Sequence, residues 1–360
     1  MAKRMCLRSW PNMIDIDGSQ GEGGGQIIRS SLALSAVTGR PLRIFNIRAG
    51  RKKPGLKKQH VVAANAAARI CNAHCKGVEI GASEITFEPN PICAGHYEFQ
   101  IGSAGSTSLV SQTVLPALLT ADGKSTLVIE GGTHNPMAPT FDFIQQSYLP
   151  QLAKFGANVD SEIERMGFFP KGGGRVSFEI TPVAQWQGHE LLESGVLKSK
   201  SVTALVSALP ANIGTREVDK ICRKVGWPAN VGKVIEVQDP HGPGNVVSIA
   251  LDYENVCAMF TGFGQRGVKA EQVANSCYRD AKRFLDAQIP VEEYLADQLI
   301  LPMSLAANAG CKSSFRTYQL SGHSVTHLDV VKLFLDIKIE TMAEENGTVA
   351  VQIGPFTVSS

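Results

Sequence analysis

This chain lacks any long apolar run, and no stretch approaches the ~18 consecutive apolar residues of a membrane span. Its start, MAKRMCLRSWPNMIDIDGSQ, carries basic residues with no apolar segment behind them, so it does not read as a secretory signal. Paired cysteines at metal spacing are missing too. The eight cysteines are scattered, which points to reduced thiols in a cytoplasmic protein. CNAHC (Cys71 to Cys75, with His74) has no second Cys/His pair at zinc-finger distance, and it reads as the continuation of an Ala-rich helix. No glycine run is closed by Lys-Ser/Thr, which excludes a P-loop. Net charge is only +2, so attraction to a polyanion must come from local clustering rather than from overall balance.

What is present is a large core and an internal repeat. With 360 residues and 43% hydrophobic content, the chain exceeds one ordinary domain. LVSQTVLP, containing Gln112, and LADQLILP, containing Gln298, share Leu, Gln, Leu and Pro at identical offsets. A looser third copy begins at Gln26. Gln26 and Gln112 lie 86 residues apart, whereas Gln112 and Gln298 lie 186 apart. The surplus of 100 predicts an inserted unit over 188–287, with the larger body made of 1–187 and 288–360. Strand patterns such as PLRIFNIRA and TLVIEGG alternate with helical ones such as KKQHVVAANAAARICNA. Three sheet layers backed by helices, with clefts between them, are therefore expected.

Four stretches carry chemistry. GSQGEGGGQIIR opens a helix with glycines, whose exposed amides suit an anion. Within it Glu22 suits a divalent ion and Arg29 a phosphate. In RAGRKKPGLKKQH, six Lys/Arg lie from Arg48 to Lys58 around a Pro-Gly turn, with His60 just beyond. A run of this kind that bends into a helix start forms a cradle for phosphates rather than a solvated face. YLADQ places Tyr294, Asp297 and Gln298 on one side of a helix, with a ring to stack on a base and polar groups for its edge. Finally, in SGHSVTH, Ser324 reads as the N-cap of the last helix. His323 then sits at the positive end of that helix, where anions bind, and neutral imidazole is a competent nucleophile. His327 shares the face without a third ligand or the Glu that a zinc-binding HExxH would supply.

Together these motifs resemble the RNA 3′-terminal phosphate cyclase family from Asp17 to about Ile339. The match rests also on IGSAGST, GGTHNPMAP, FFPKGGG and EYLADQLILPM. The resemblance implies an α+β fold, in which three βαβαββ repeats form a large domain and a smaller α+β, thioredoxin-like domain is inserted. It further implies ATP-dependent conversion of an RNA 3′-phosphate into a 2′,3′-cyclic phosphodiester through histidyl–AMP, with release of AMP and pyrophosphate. By resemblance, His323 is the nucleophile, and Gln112, Pro139, Tyr294, Leu295, Ala296, Asp297 and Gln298 form the ATP/AMP site. Arg29, Arg48, Arg51, Gln59 and His60 hold phosphates or the RNA end, and Glu22 is the acid for a divalent metal, Mg or Mn. The alternative is a non-catalytic cyclase-like RNA-binding or ribosome-assembly factor. Such relatives lack the reactive histidine that stands here at 323. Enolpyruvyl transferases use related repeats but share none of this motif series.

Overall fold

The computed structural model describes residues 13–345 and 347–356. The first unit runs β1 (Ile14–Asp17), α1 (Gly25–Thr38), β2 (Leu42–Phe45), α2 (Lys58–Ile70), β3 (His74–Lys76) and β4 (Ile85–Glu88), with sheet order β1-β2-β4-β3. The second runs β5 (His96–Gln100), α3 (Thr107–Leu118), β6 (Ser125–Gly131), a helical stretch, β7 (Asn158–Arg165) and β8 (Gly174–Thr181), ordered β5-β6-β8-β7. That helical stretch joins α4 (Phe141–Phe143), a π-helical turn over Ile144–Tyr148, and α5 (Leu149–Lys154).

A short strand, β9 (Glu190–Leu191), comes next. It is followed by β10 (Leu197–Ser207), α6 (Asn212–Val225), β11 (Gly232–Glu236), β12 (Gly244–Tyr253), β13 (Cys257–Phe263) and α7 (Ala270–Ala287). These four strands make a separate sheet ordered β11-β10-β12-β13. The chain then continues through α8 (Glu293–Asn308), β14 (Ser313–Thr317), α9 (Gly322–Phe334), β15 (Ile337–Ala343) and β16 (Val349–Pro355). Their sheet, read from β9, is ordered β9-β14-β16-β15. In all three of these larger-body sheets the first pair of strands is parallel and the remaining pairs are antiparallel. β9 falls inside the stretch that spacing assigned to the insert, yet it pairs with β14, Ser314 lying opposite Glu190.

Gln112 and Gln298 are each the sixth residue of their helices, and Pro116 and Pro302 each the tenth. Gln26 is the second residue of α1, so the looser copy does not share that helical position. CNAHC also differs from expectation. α2 stops at Ile70, Cys71 caps it, and His74 opens β3. Cys71 is buried, Cys75 is half-buried, and all seven described cysteines are free; Cys6 lies outside the described residues.

One core joins the three units, a second lies among residues 202–289, and a small third gathers Phe168, Leu205 and Val246. α1 buries Ile27, Ile28, Leu32 and Leu34, and each such side chain contributes about 1.5–3 kcal/mol. α2 covers its inner face with Ala63, Ala64, Ala66 and Ala67, which lets it pack closely on α1 and α3. α9 in turn packs on α1 and α8. This stacking brings the starts of α1, α8 and α9 to one place.

Candidate functional site

The glycine-rich turn before α1 is shaped to press against α9. Gly21 and Gly23 have φ of +55° and +54°, conformations that side-chain-bearing residues rarely adopt. A Cβ at Gly21 would run into the Thr326 hydroxyl. That hydroxyl donates to the Gly322 carbonyl at 2.7 Å and accepts from the Glu22 amide at 3.4 Å. The late His-x-x-Thr motif is thus a clamp between helix and turn. It sets the Glu22 Oε2 atom 3.2 Å from His323 Nε2 and 3.7 Å from Arg51 Nη2. Arg51 also donates to the Glu22 carbonyl at 2.6 Å.

The start of α9 differs from the sequence expectation by three residues. Ser321, not Ser324, is the N-cap, and it accepts the Ser324 amide at 3.0 Å. His323 therefore lies inside the first turn, with 44% of its side chain exposed. The Ser321 and Ser324 hydroxyls both donate to Asp297 Oδ1, Ser321 at 3.1 Å. Burial pushes the Asp297 carboxyl above the usual range, and the two serines and nearby His323 oppose that shift. Asp297 thus fixes the start of α9 to α8. At the start of α8, buried Glu292 accepts the Tyr294 and Leu295 amides at 2.7 and 2.6 Å, an acidic cap at the positive helix end. Its burial raises the carboxyl to about 8. Tyr294 stands out from this cap, 60% exposed, with Leu295 and Ala296 buried behind it. The ring is available for stacking, while Leu295 and Ala296 supply backbone and packing.

Below the rim lies a buried polar layer. His327 Nδ1 lies 3.2 Å from the Asp297 carbonyl and 3.4 Å from the Gln26 amide nitrogen. Its Nε2 is buried without a partner. Gln26 accepts from Arg29 at 2.7 Å, and Gln112 donates to Gln298 at 2.5 Å. Arg29 has a buried Nε with no partner. Burial pushes its guanidinium down to about 10, with Asp297 opposing. Arg29 as a whole is half-buried, and a partly buried cation with so little paired charge suits an anion.

His60 faces the same space. Its Nδ1 accepts the Lys57 amide at 3.1 Å, which leaves the proton on Nε2. A Cβ added at Gly25 would lie 2.7 Å from His60 Nε2 and 2.8 Å from Arg29 Nη1, so the missing side chain leaves room between two donors. Arg48 has a different job from the one expected. It is buried at φ +54° and donates to the carbonyls of Lys53 and Gly55 at 2.7 and 2.9 Å, tying the basic loop together. Gln59 is half-buried beside Gly105. Pro139 is half-buried in the loop before α4. The structure thus brings Glu22, Arg29, Arg51, His60, Asp297 and His323 together. Ser321, Ser324, Gln26 and Thr326 join them as groups the sequence reading did not assign. Only the helix-capping pattern hinted at the serines.

Two buried histidines make stability depend on pH. Burial holds His327 down to about 4 and His60 down to about 3, below the ordinary 6.5. Between those values the unfolded chain binds protons that the folded chain refuses. The histidines' contribution to stability is complete above about 6.5 and falls as pH drops through that value toward the folded pKa values. Glu292, raised to about 8, and Glu217, raised to about 7, contribute in the opposite sense and lose stability as pH rises above their ordinary 4.5. In urea melts the two histidines should contribute a loss below neutrality of up to about 1.4 kcal/mol per pH unit each. His327→Gln should flatten it by about half, and an unchanged slope would show that His327 is not buried neutral.

Comparison with known proteins agrees with this geometry. A model of the RNA 3′-terminal phosphate cyclase family matches residues 20–341. The chain is similar to RNA 3′-terminal phosphate cyclases from several bacteria. It is 45% identical to that of Ralstonia nicotianae, over 93% of this chain and 95% of the relative. It is 43% identical to that of Ectopseudomonas mendocina, over 91% and 94%, and 42% identical to that of Salmonella typhimurium, over 93% and 97%. With a match that spans the turn carrying Glu22 and the helix carrying His323, the chain belongs to the RNA 3′-terminal phosphate cyclase family of ligase-type enzymes.

Proposed function

We propose that this protein uses ATP to convert an RNA 3′-phosphate into a 2′,3′-cyclic phosphodiester through a covalent AMP on His323. The observation that supports this best is the placement of His323. It is an exposed imidazole on a helix start, 3.2 Å from Glu22, above a half-buried arginine short of anionic partners. In the first step His323 attacks the α-phosphorus of ATP, and the bond to pyrophosphate breaks. Glu22 orients the ring, and the half-exposed imidazole releases its proton to solvent. In the second step an oxygen of the RNA 3′-phosphate attacks the same phosphorus, and the P–N bond breaks, freeing His323. In the third the neighbouring 2′-hydroxyl attacks the activated phosphate and expels AMP. A phosphate monoester is a poor electrophile, so attaching AMP supplies the leaving group, and the adjacent hydroxyl then reacts at high effective concentration.

In this reading Tyr294 stacks on adenine opposite Pro139, and Gln112, Asp297 and Gln298 line the nucleotide. Arg29, Arg51, Gln59 and His60 receive the RNA end, with Arg48 shaping the loop that presents them. Among the described residues no group of three or more His, Cys, Asp or Glu is placed to hold a metal ion. One carboxylate shared with substrate phosphates does fit Mg or Mn. Glu22 is that carboxylate, and the ion, when bound, neutralises charge on the triphosphate. We also propose that the sheet from β10 to β13 with α6 and α7 is a separate small domain within 188–287. No described helix is long and apolar enough to cross a membrane, and the seven free cysteines suit the cytoplasmic setting we propose.

The test uses a 3′-phosphorylated oligoribonucleotide. With the protein, ATP and Mg or Mn it should become resistant to phosphatase, and without ATP it should not. Phosphatase sensitivity that persists in a folded, ATP-binding sample contradicts the reading.

A further inference from the structure

The insert carries no part of the chemistry above, yet it bounds a groove of about 820 Å³ beside the site. The groove runs between α6, α7 and Tyr318, the residue after β14. Four cations line it, Lys224, Arg279, Lys282 and Arg283, with two rings, Tyr278 and Tyr318. The one lining carboxylate, Asp286, is paired with Lys282 at 2.8 Å. Lys224 Nζ lies 4.9 Å from the centroid of the Tyr278 ring, and the Arg283 guanidinium 4.1 Å from that of Tyr318. Each ring therefore has a cation at its face. The Tyr318 hydroxyl and the lining Asn275 Oδ1 are both buried without partners.

The groove also touches the segments that carry the site. Arg283 lies 3.7 Å from Glu293, the neighbour of Tyr294, and Tyr318 leads into Ser321 and His323. Backbone phosphates need cations and bases need rings, and interleaving the two is how single strands are held without sequence preference. A duplex buries its base faces and would leave the tyrosines unused.

We propose that this groove binds the single-stranded RNA upstream of the reacting 3′ end, so that the insert serves as a substrate-holding surface. This rests on the cyclase reading, and the experiment separates the two. A 3′-phosphorylated dinucleotide is compared with a strand of about twelve nucleotides, using wild type and the Lys224→Ala/Arg279→Ala double variant. In the variant, KM for the long strand should rise about tenfold while that for the dinucleotide stays the same. The slope of log affinity against log salt should shrink by about 0.7 per cation removed. ATP-dependent self-labelling should be unaltered, since neither residue belongs to the nucleotide site, and thermal melting should confirm the fold.

Equal changes for both lengths, no change for either, or tighter binding of duplex than of single strand would overturn the proposal. If wild type cyclises neither substrate, the cyclase reading fails. Anisotropy of the fluorescent long strand still reads the groove directly, and binding undiminished in the variant would then refute it.

Discussion

His323→Ala should abolish the transfer of AMP from ATP to the protein and, with it, cyclisation of the RNA end. Loss of a covalent nucleophile that works with its partners as a unit costs about four orders of magnitude or more. The stability of the variant should hardly move. The side chain is 44% exposed, and among the described residues its close polar partner is Glu22, a surface contact worth less than about 1 kcal/mol. Melting temperature and ATP-dependent labelling, measured on the same sample, separate the roles. A variant that melts normally and no longer takes up AMP fits the account. One that still takes up AMP places the nucleophile elsewhere.

Arg29→Met should separate the chemistry from the fold even more sharply. Arg29 donates to Gln26, its Nε has no partner, and burial has already pushed its guanidinium down to about 10. Replacing a poorly compensated, partly buried cation by an apolar chain of similar length is often neutral or stabilising, so the thermal midpoint should hold or rise. Transfer to RNA should fall about a thousandfold, the scale seen when an arginine is withdrawn from a transferring phosphoryl group. Self-labelling with ATP should survive within about tenfold, because Arg29 lies beside His60 and Gly25, on the side assigned to the RNA phosphate. Quench-flow measurement of labelling and transfer as separate steps decides this. Equal losses in both steps would place Arg29 on ATP instead, and a large drop in melting temperature would make it structural.

Much of the site was legible because its parts are local. Glu22 announced itself as a carboxylate inside a glycine turn, and His323 as an imidazole at a helix start. Gln112 and Gln298 stood out as equivalent positions in two copies of one motif, and the structure adds a bond the repeat did not imply, side chain to side chain. What was not legible depends on contacts between segments roughly 300 residues apart in the chain, such as Thr326 meeting Gly21 and Glu22. Arg48 illustrates the limit. It sits in a basic run and reads as a phosphate ligand, but a left-handed backbone turns it onto its own loop carbonyls. The helix cap moved from Ser324 to Ser321 because Ser321 satisfies the Ser324 amide and leaves the Ser324 hydroxyl for Asp297. Periodicity marks where a helix lies but not which of two serines will cap it. CNAHC misled for a related reason, since the alanine pattern runs up to a helix end that only the turn at Asn72, with φ of +47°, makes definite.

The most direct measurement is the location of AMP itself. The protein is incubated with ATP and Mg or Mn in the absence of RNA, digested under alkaline conditions that preserve a phosphoramidate, and mapped by mass spectrometry. The account predicts AMP on His323 alone, with His327, resolved from it by fragmentation of the peptide they share, and the other histidines unmodified. AMP on a lysine, AMP on His327, or the absence of any covalent adduct in a protein that still cyclises RNA would contradict it.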